Sequence, residues 1–299
     1  MAKIKQSIRL QMLLASIIIL GLVLGFASLN HHYNEHEAEL RELQNSISHS
    51  EYLMLDVRRQ EKDFLSRVDT TYIKKIRQQV TALKQSIEKI DGYFKKHQFN
   101  YQSSTNEILQ SIDNYIATFE QLTTQKLLIE GEDKTGLIEE LKTAWFNLEK
   151  TMLINPDDRY QQTIIDLQEN TYYFFRTFDP EKLMNSQNLI FKLSFLSDGD
   201  NDEVKQAILA YQQTFSQLQQ AYQVLGYDHK SGLHGSLRRE IHDVETKLAI
   251  MHKLIPEQIQ TKLDEIDHET HLVMLFLVVS LMIILGYATW SITALERRL

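Results

Sequence analysis

The stretch Met54–Arg67, MLDVRRQEKDFLSR, lies within a long helical heptad pattern in the first quarter of the chain. Apolar residues recur here at alternating spacings of three and four, which is typical of the buried seam of a packed helix. Glu61 occupies a seam position where an apolar side chain is expected, and Arg58 and Arg67 flank the same edge. Because a buried charge without a partner is costly, these residues need either an interhelical ion pair or a charged ligand.

The composition indicates a helical chain and excludes several classes of function. With three prolines and ten glycines in 299 residues, and little β-branched alternation, the protein is predicted to be all-α. The net charge of −8 provides no basic surface for binding nucleic acid, so a nucleic-acid-binding function is not expected. The absence of cysteine excludes disulfides and thiolate chemistry. No phosphate loop, HExxH motif or nucleophile elbow occurs, so we expect neither enzymatic activity nor a cofactor.

Two uncharged apolar stretches, 10–29 and 272–292, are each long enough to cross a bilayer as a helix. Basic residues precede the first and follow the second, so the positive-inside rule places both termini in the cytoplasm. A cleaved signal peptide is the other interpretation of the first stretch, but its length and the lack of an A-x-A-like site favour an uncleaved anchor. We therefore expect a two-pass protein of the cytoplasmic membrane. Residues 30–271 lie outside, and 1–9 and 293–299 lie inside.

An internal repeat divides the polar region into helical units. The segment Tyr115–Leu122, YIATFEQL, reappears 96 residues later as Tyr211–Leu218, YQQTFSQL. The same offset relates Gly136 to Gly232, each in a loop that follows the repeated helix. One fixed offset across a loop indicates that a helix–loop–helix unit has been duplicated.

The helix lengths predict two stacked four-helix bundles built from six long helices, with helices 1 and 4 shared. The helix of residues 31–68 must run antiparallel to that of residues 232–267, because both are tied to the membrane. Residues 72–95 are assigned, with helices two and three, to the bundle farther from the membrane. Asp69 and Asp179–Pro180 fall at the junction between the bundles.

The polar region contains three distinctive motifs: RRQEKDFLSR at 58–67, Asp179–Pro180, and GYDHKSGLHGSLRREIHDVE at 226–245. Together these motifs resemble the helical bimodular sensor domains of bacterial chemoreceptors and sensor histidine kinases. The resemblance covers roughly residues 30 to 270 and implies a domain that binds small organic acids. It further implies a HAMP linker and a signalling module beyond the second span, of which SITALERRL at 291–299 is at most the start.

The first-helix arginines are the candidate ligand-binding residues, since the resemblance implies a membrane-proximal pocket built from them. The planar guanidinium fork suits bidentate binding of a carboxylate. The predicted antiparallel packing brings residues of the last helix to the same height, and Arg176 approaches from helix four. The predicted set is Arg58, Arg59, Arg67, Arg176, Glu61, Arg238, Arg239 and His242. A solvated basic rim, neutralised by neighbouring acids, remains the alternative interpretation.

Histidines cluster where the polar region meets the two apolar stretches. His31, His32 and His36 follow the first stretch, and His268 and His271 precede the second. Histidines four residues apart on a helix can hold a metal or respond to pH. No carboxylate–histidine motif accompanies them, so we interpret them as interfacial polar residues and predict no metal site.

These observations predict the input module of a transmembrane receptor for a small carboxylate. Its output, a chemotaxis or histidine-kinase module, is expected as a downstream partner. A homodimer is expected too, because two-fold symmetry is the commonest arrangement of oligomers. A membrane-anchored helical stalk that binds no ligand is the competing interpretation.

Overall fold

The computed structural model describes residues 2–97, 99, 105–154, 158–199 and 202–296. It contains eight α-helices over these residues: α1 (Ala2–Arg67), α2 (Thr70–His97), α3 (Thr105–Glu130), α4 (Leu137–Ile154), α5 (Asp158–Thr177), α6 (Pro180–Leu196), α7 (Asp202–Leu225) and α8 (Gly232–Glu296). No strand occurs in this part of the chain, which confirms the all-α prediction. By length and composition, α1 and α8 each include a stretch able to cross a membrane, and no residue of either stretch is buried. The predicted cytoplasmic ends lie partly outside the described residues.

The chain forms two compact units. Unit 1 comprises Met1–Glu51, Ser86–Thr105 and Leu248–Leu299, and unit 2 comprises Tyr52–Gln85 and Asn106–Lys247. Unit 1 buries an apolar core contributed by α1, α2 and α8, which includes Leu40, Leu43, Ile47, Ile87, Ile90, Phe94, Leu248, Met251, Ile255 and Ile259.

A tight reversal ends α1 at Arg67. Val68 has a φ of 54° and its N–H donates to the Phe64 carbonyl at 2.8 Å. Asp69 then caps α2, because its Oδ1 accepts from the Thr71 N–H at 2.8 Å. Positive φ is uncommon for a β-branched residue, so the surrounding packing must stabilise this turn.

As a result, α2 runs antiparallel to α1 in unit 1. The Ser86 hydroxyl donates to the Ser46 carbonyl at 3.2 Å, and Lys89 Nζ lies 2.6 Å from Glu42 Oε1. The assignment of all of residues 72–95 to the bundle farther from the membrane is therefore wrong, since their second half packs on α1 in unit 1. The heptad pattern does continue through α2, but on a helix that has turned back.

A matching reversal follows α5. Phe178 has a φ of 55° and its N–H donates to the Phe174 carbonyl at 2.6 Å. Asp179 caps α6 by accepting from the Glu181 N–H at 2.9 Å, and Pro180 occupies the first helical turn. This break, predicted to lie at the junction between the two bundles, separates two helices that pack on each other. The two reversals explain why eight helices are found where six long ones were predicted.

Unit 2 contains two groups of four associated helices. In one group α4 packs on α7, α5 on α6 and α6 on α7. In the other, α1, α2, α3 and α8 are joined by polar contacts. Lys84 Nζ of α2 lies 2.6 Å from Asp113 Oδ1 of α3, and Ser111 of α3 donates to Asp243 of α8.

The 96-residue repeat is confirmed, because α3–loop–α4 and α7–loop–α8 share both their fold and their ring packing. Tyr115 and Phe119 are stacked with ring centroids 6.3 Å apart. Tyr211 and Phe215 are stacked at the same 6.3 Å. All four rings are buried in unit 2.

A second register, not predicted, relates α1 to α5 at an offset of 110 residues. Phe64 and Phe174 correspond, and they pack on Phe119 and Phe215 at centroid distances of 5.8 and 6.3 Å. Val68 corresponds to Phe178, both with positive φ, and the helix-capping Asp69 corresponds to Asp179. Helices α1–α4 and α5–α8 are thus two copies of one four-helix arrangement. The fourth helix of each copy contacts the other copy: α4 packs on α7, and α8 contacts α1 and α3.

Candidate functional site

Glu61 lies at the centre of a buried polar cluster in unit 2, and only 4% of its surface is exposed. Arg58, one turn earlier on α1, donates from Nη1 to Glu61 Oε1. The Tyr115 hydroxyl of α3 donates to the other oxygen, Glu61 Oε2, at 2.8 Å. Arg58 Nε also lies 3.2 Å from Glu245 Oε1 of α8. The cluster therefore joins three helices, and both Glu61 oxygens have partners.

The electrostatics of this cluster favour a charged guanidinium and a neutral phenol. Burial opposes the charge on Arg58, but the Glu61 and Glu245 carboxylates outweigh it and raise the pKa of Arg58. Burial, followed by the nearby Glu61 charge, raises the pKa of the Tyr115 phenol well above its usual range. Tyr115 therefore acts as a fixed hydrogen-bond donor to the carboxylate.

The second copy of the repeat shows that the fold does not require these charges. In that copy Thr171 takes the place of Glu61, and its hydroxyl lies 3.0 Å from the hydroxyl of Tyr211, the counterpart of Tyr115. Gln168, an exposed neutral residue, takes the place of Arg58. Since a neutral hydroxyl pair fills the equivalent position, the ion pair of the first copy is a specific addition. This contrast makes the Arg58 cluster the candidate functional site.

Two other predicted arginines lie outside this cluster. Arg59 turns away from Glu61, with 67% of its side chain exposed, and pairs with the buried Asp56. Arg67 is exposed at the end of α1 and donates to the Tyr72 hydroxyl at 3.0 Å. Neither has a described contact with Arg58 or Glu61, so both offer positive charge near the surface of unit 2.

The remaining predicted residues are exposed on α5 and α8. Arg176 donates to the Tyr172 hydroxyl at 3.1 Å on its own helix. Arg239 donates to a serine one turn earlier on α8, and Arg238 and His242 are exposed beside it. Of the predicted set, the structure joins Arg58 and Glu61 directly.

Sequence reasoning missed two members of the cluster, Tyr115 and Glu245. Tyr115 was noted only as a repeated position, and Glu245 only as the last residue of the motif at 226–245. A buried tyrosine needs a partner for its hydroxyl, and that requirement could have indicated that Tyr115 belongs to a polar cluster. The partner itself lies 54 residues away on another helix, so local periodicity could not identify it.

A separate groove of about 430 Å³ lies in unit 2 between α3, α4 and α7. Its polar lining comes from the neutral amides of Gln125, Gln217 and Gln220, and the rest of the described lining is apolar. The described lining of this groove supplies no positive charge to bind an acid, so we place the candidate site at Arg58.

Comparisons with known proteins give no relative: no family model, no curated protein and no solved structure matches the chain.

Proposed function

We propose that this chain is the input module of a transmembrane receptor that binds a small organic acid outside the cytoplasmic membrane. The observation that carries the proposal is the continuity of two helices. Helix α1 extends from an apolar span to Arg58, and α8 extends from Glu245 to the other apolar span. A change at the Arg58–Glu245 pair can therefore be passed along both helices to the membrane.

The ligand carboxylate would replace Glu245 on Arg58. Glu61 is buried and retained by two donors, whereas the Glu245 side chain is 43% exposed. An incoming carboxylate can therefore displace Glu245 from Arg58 Nε more easily than it can displace Glu61 from Arg58 Nη1. This exchange would break an ion pair between α1 and α8, which couples ligand binding to the two membrane-spanning helices.

The remaining elements of the proposal follow from the resemblance to helical bimodular sensors. The two helix groups of unit 2 support a two-bundle domain, with α1, α2, α3 and α8 in one bundle and α4–α7 in the other. The receptor would be a two-pass homodimer of a bacterial inner membrane, with its sensor domain in the periplasm. A HAMP linker and a chemotaxis or histidine-kinase module would provide the output.

Thermal melts of the full chain in detergent, with a panel of small carboxylic acids and their neutral amides, test this proposal. An acid at 100 times its dissociation constant should stabilise the protein by about 2.7 kcal/mol, and its amide should not. Glu245→Gln removes the competing carboxylate, so it should tighten acid binding about two- to fivefold.

Glu240→Gln is the matched control, because it removes a carboxylate from the same helix outside the described cluster. Acid affinity should be the same in this variant and in the wild type. A panel in which no acid shifts the melt, in wild type or in Glu245→Gln, would contradict the proposal and favour a membrane-anchored stalk.

A further inference from the structure

We propose that unit 1 contains a binding site for a divalent transition-metal ion, with Zn²⁺ as the representative ion, formed by His36, Glu39 and His97. His36 and Glu39 are three residues apart on α1 and so share one helix face. His97 is the last residue of α2, brought to α1 by the reversal at Val68. One ligand atom from each residue lies within 4.8 Å of the other two.

The distances suit a single metal ion. His97 Nε2 lies 3.1 Å from Glu39 Oε2. Two ligands bound tetrahedrally to Zn²⁺ at its usual bond lengths are about 3.3 Å apart. The His36 and His97 rings meet edge to face at 5.4 Å, which places the second imidazole beside the same point.

The burial of the two facing ligand atoms gives further support. Glu39 Oε2 and His97 Nε2 are both buried, and neither forms a hydrogen bond of good geometry, although they lie 3.1 Å apart. The His97 side chain is only 4% exposed. Buried polar atoms are rarely left unsatisfied, and a cation bound to both would satisfy them together.

The surroundings orient these ligands for a metal ion. Lys96 donates to Glu39 Oε1 and leaves Oε2 for the metal. A pocket of about 290 Å³ opens beside His36 and His97, and Glu265 of α8 is among its lining residues. Glu265 or water would then complete the coordination.

The donor set selects the ion. Two imidazoles and one carboxylate suit Zn²⁺ and related first-row ions, whereas Mg²⁺ and Ca²⁺ prefer oxygen ligands. A bound ion would link α1 to α2 only seven residues beyond the end of the first apolar stretch. This inference does not depend on the acid-binding proposal, and either can fail without the other.

Titration calorimetry of tag-free, metal-stripped full chain in detergent with ZnCl₂ tests the site, with MgCl₂ as a comparison. We expect one Zn²⁺ per chain and no binding of Mg²⁺ at the same concentrations. His97→Ala and Glu39→Gln should each weaken Zn²⁺ binding by about 100-fold. Glu39→Gln keeps the side-chain shape, so it remains informative if His97→Ala does not fold.

His31→Ala is the matched control. His31 also lies beside a glutamate on α1, at 3.3 Å from Glu35, but its side chain is 76% exposed. Its loss should leave Zn²⁺ affinity unchanged. The proposal is overturned if no stoichiometric Zn²⁺ binds, if Glu39→Gln binds Zn²⁺ as tightly as wild type, or if His31→Ala weakens binding as much as Glu39→Gln.

Discussion

Replacing Arg58 with alanine should lower the free energy of unfolding by about 3–5 kcal/mol, because it leaves a buried carboxylate short of its charged partner. Glu61 is 4% exposed, and without Arg58 its one remaining described donor is the Tyr115 hydroxyl. Urea unfolding of the full chain in detergent, followed by far-UV circular dichroism, measures this loss. The helicity of the variant in the absence of urea confirms that it has folded.

Arg77→Ala is the matched control for this prediction. Arg77 also makes an ion pair, with Glu120 at 3.0 Å, and both side chains are exposed, at 60% and 48%. Exposed pairs contribute at most about 1 kcal/mol, so this variant should be close to wild type. Adding Glu61→Gln to Arg58→Ala should recover part of the loss, because the uncompensated charge is then removed. Equal losses for Arg58→Ala and Arg77→Ala would show that the cluster has no special role in stability.

Gly226→Ala should lower the free energy of unfolding by about 2–5 kcal/mol, as the sum of backbone strain and steric overlap. Gly226 follows α7 with a φ of +101°. A Cβ at this position would lie 2.0 Å from the carbonyl oxygen of Ser231, which the backbone holds just before α8. The same urea titration reports the loss.

Gly199→Ala separates the two contributions. Gly199 has almost the same φ, +102°, but a Cβ there would meet nothing within 4 Å. Only the backbone strain applies, and the expected loss is about 1–2 kcal/mol. If both alanine variants lose the same stability, the tight loop between α7 and α8 is not packed as described.

The sequence predicted the helical class, because its composition has few prolines and glycines and little β-branched alternation. It also predicted the 96-residue repeat, because identical residues such as Tyr115 and Tyr211 recur at one spacing. It did not predict the reversal after α1. A chain reversal of this kind commonly carries a glycine, whereas here Val68 adopts the positive φ and the apolar heptad continues on the far side. The 110-residue register was missed as well, since α1 and α5 share only a few identical residues, Phe64 and Phe174 among them.

The candidate site could be predicted in part. Glu61 was visible as a charge on an apolar seam, and Arg58 as its neighbour one turn earlier. Their partners on α3 and α8 could not be identified, because those contacts depend on how distant helices pack. His97 of the proposed metal site was not among the predicted residues for the same reason, because it is α2 that brings it back beside Glu39.

The central claim is that the chain crosses the membrane twice, with its polar helices outside the cytoplasm, and cysteine labelling tests it most directly. The protein has no cysteine of its own, so single-cysteine variants need no further change. Asp198 is exposed in the polar region, and Thr293 is exposed just beyond the second apolar stretch. The account predicts that a membrane-impermeant maleimide labels Asp198→Cys in intact cells, and Thr293→Cys only after the membrane is disrupted. Protection of Asp198→Cys in intact cells, or labelling of Thr293→Cys there, would contradict it.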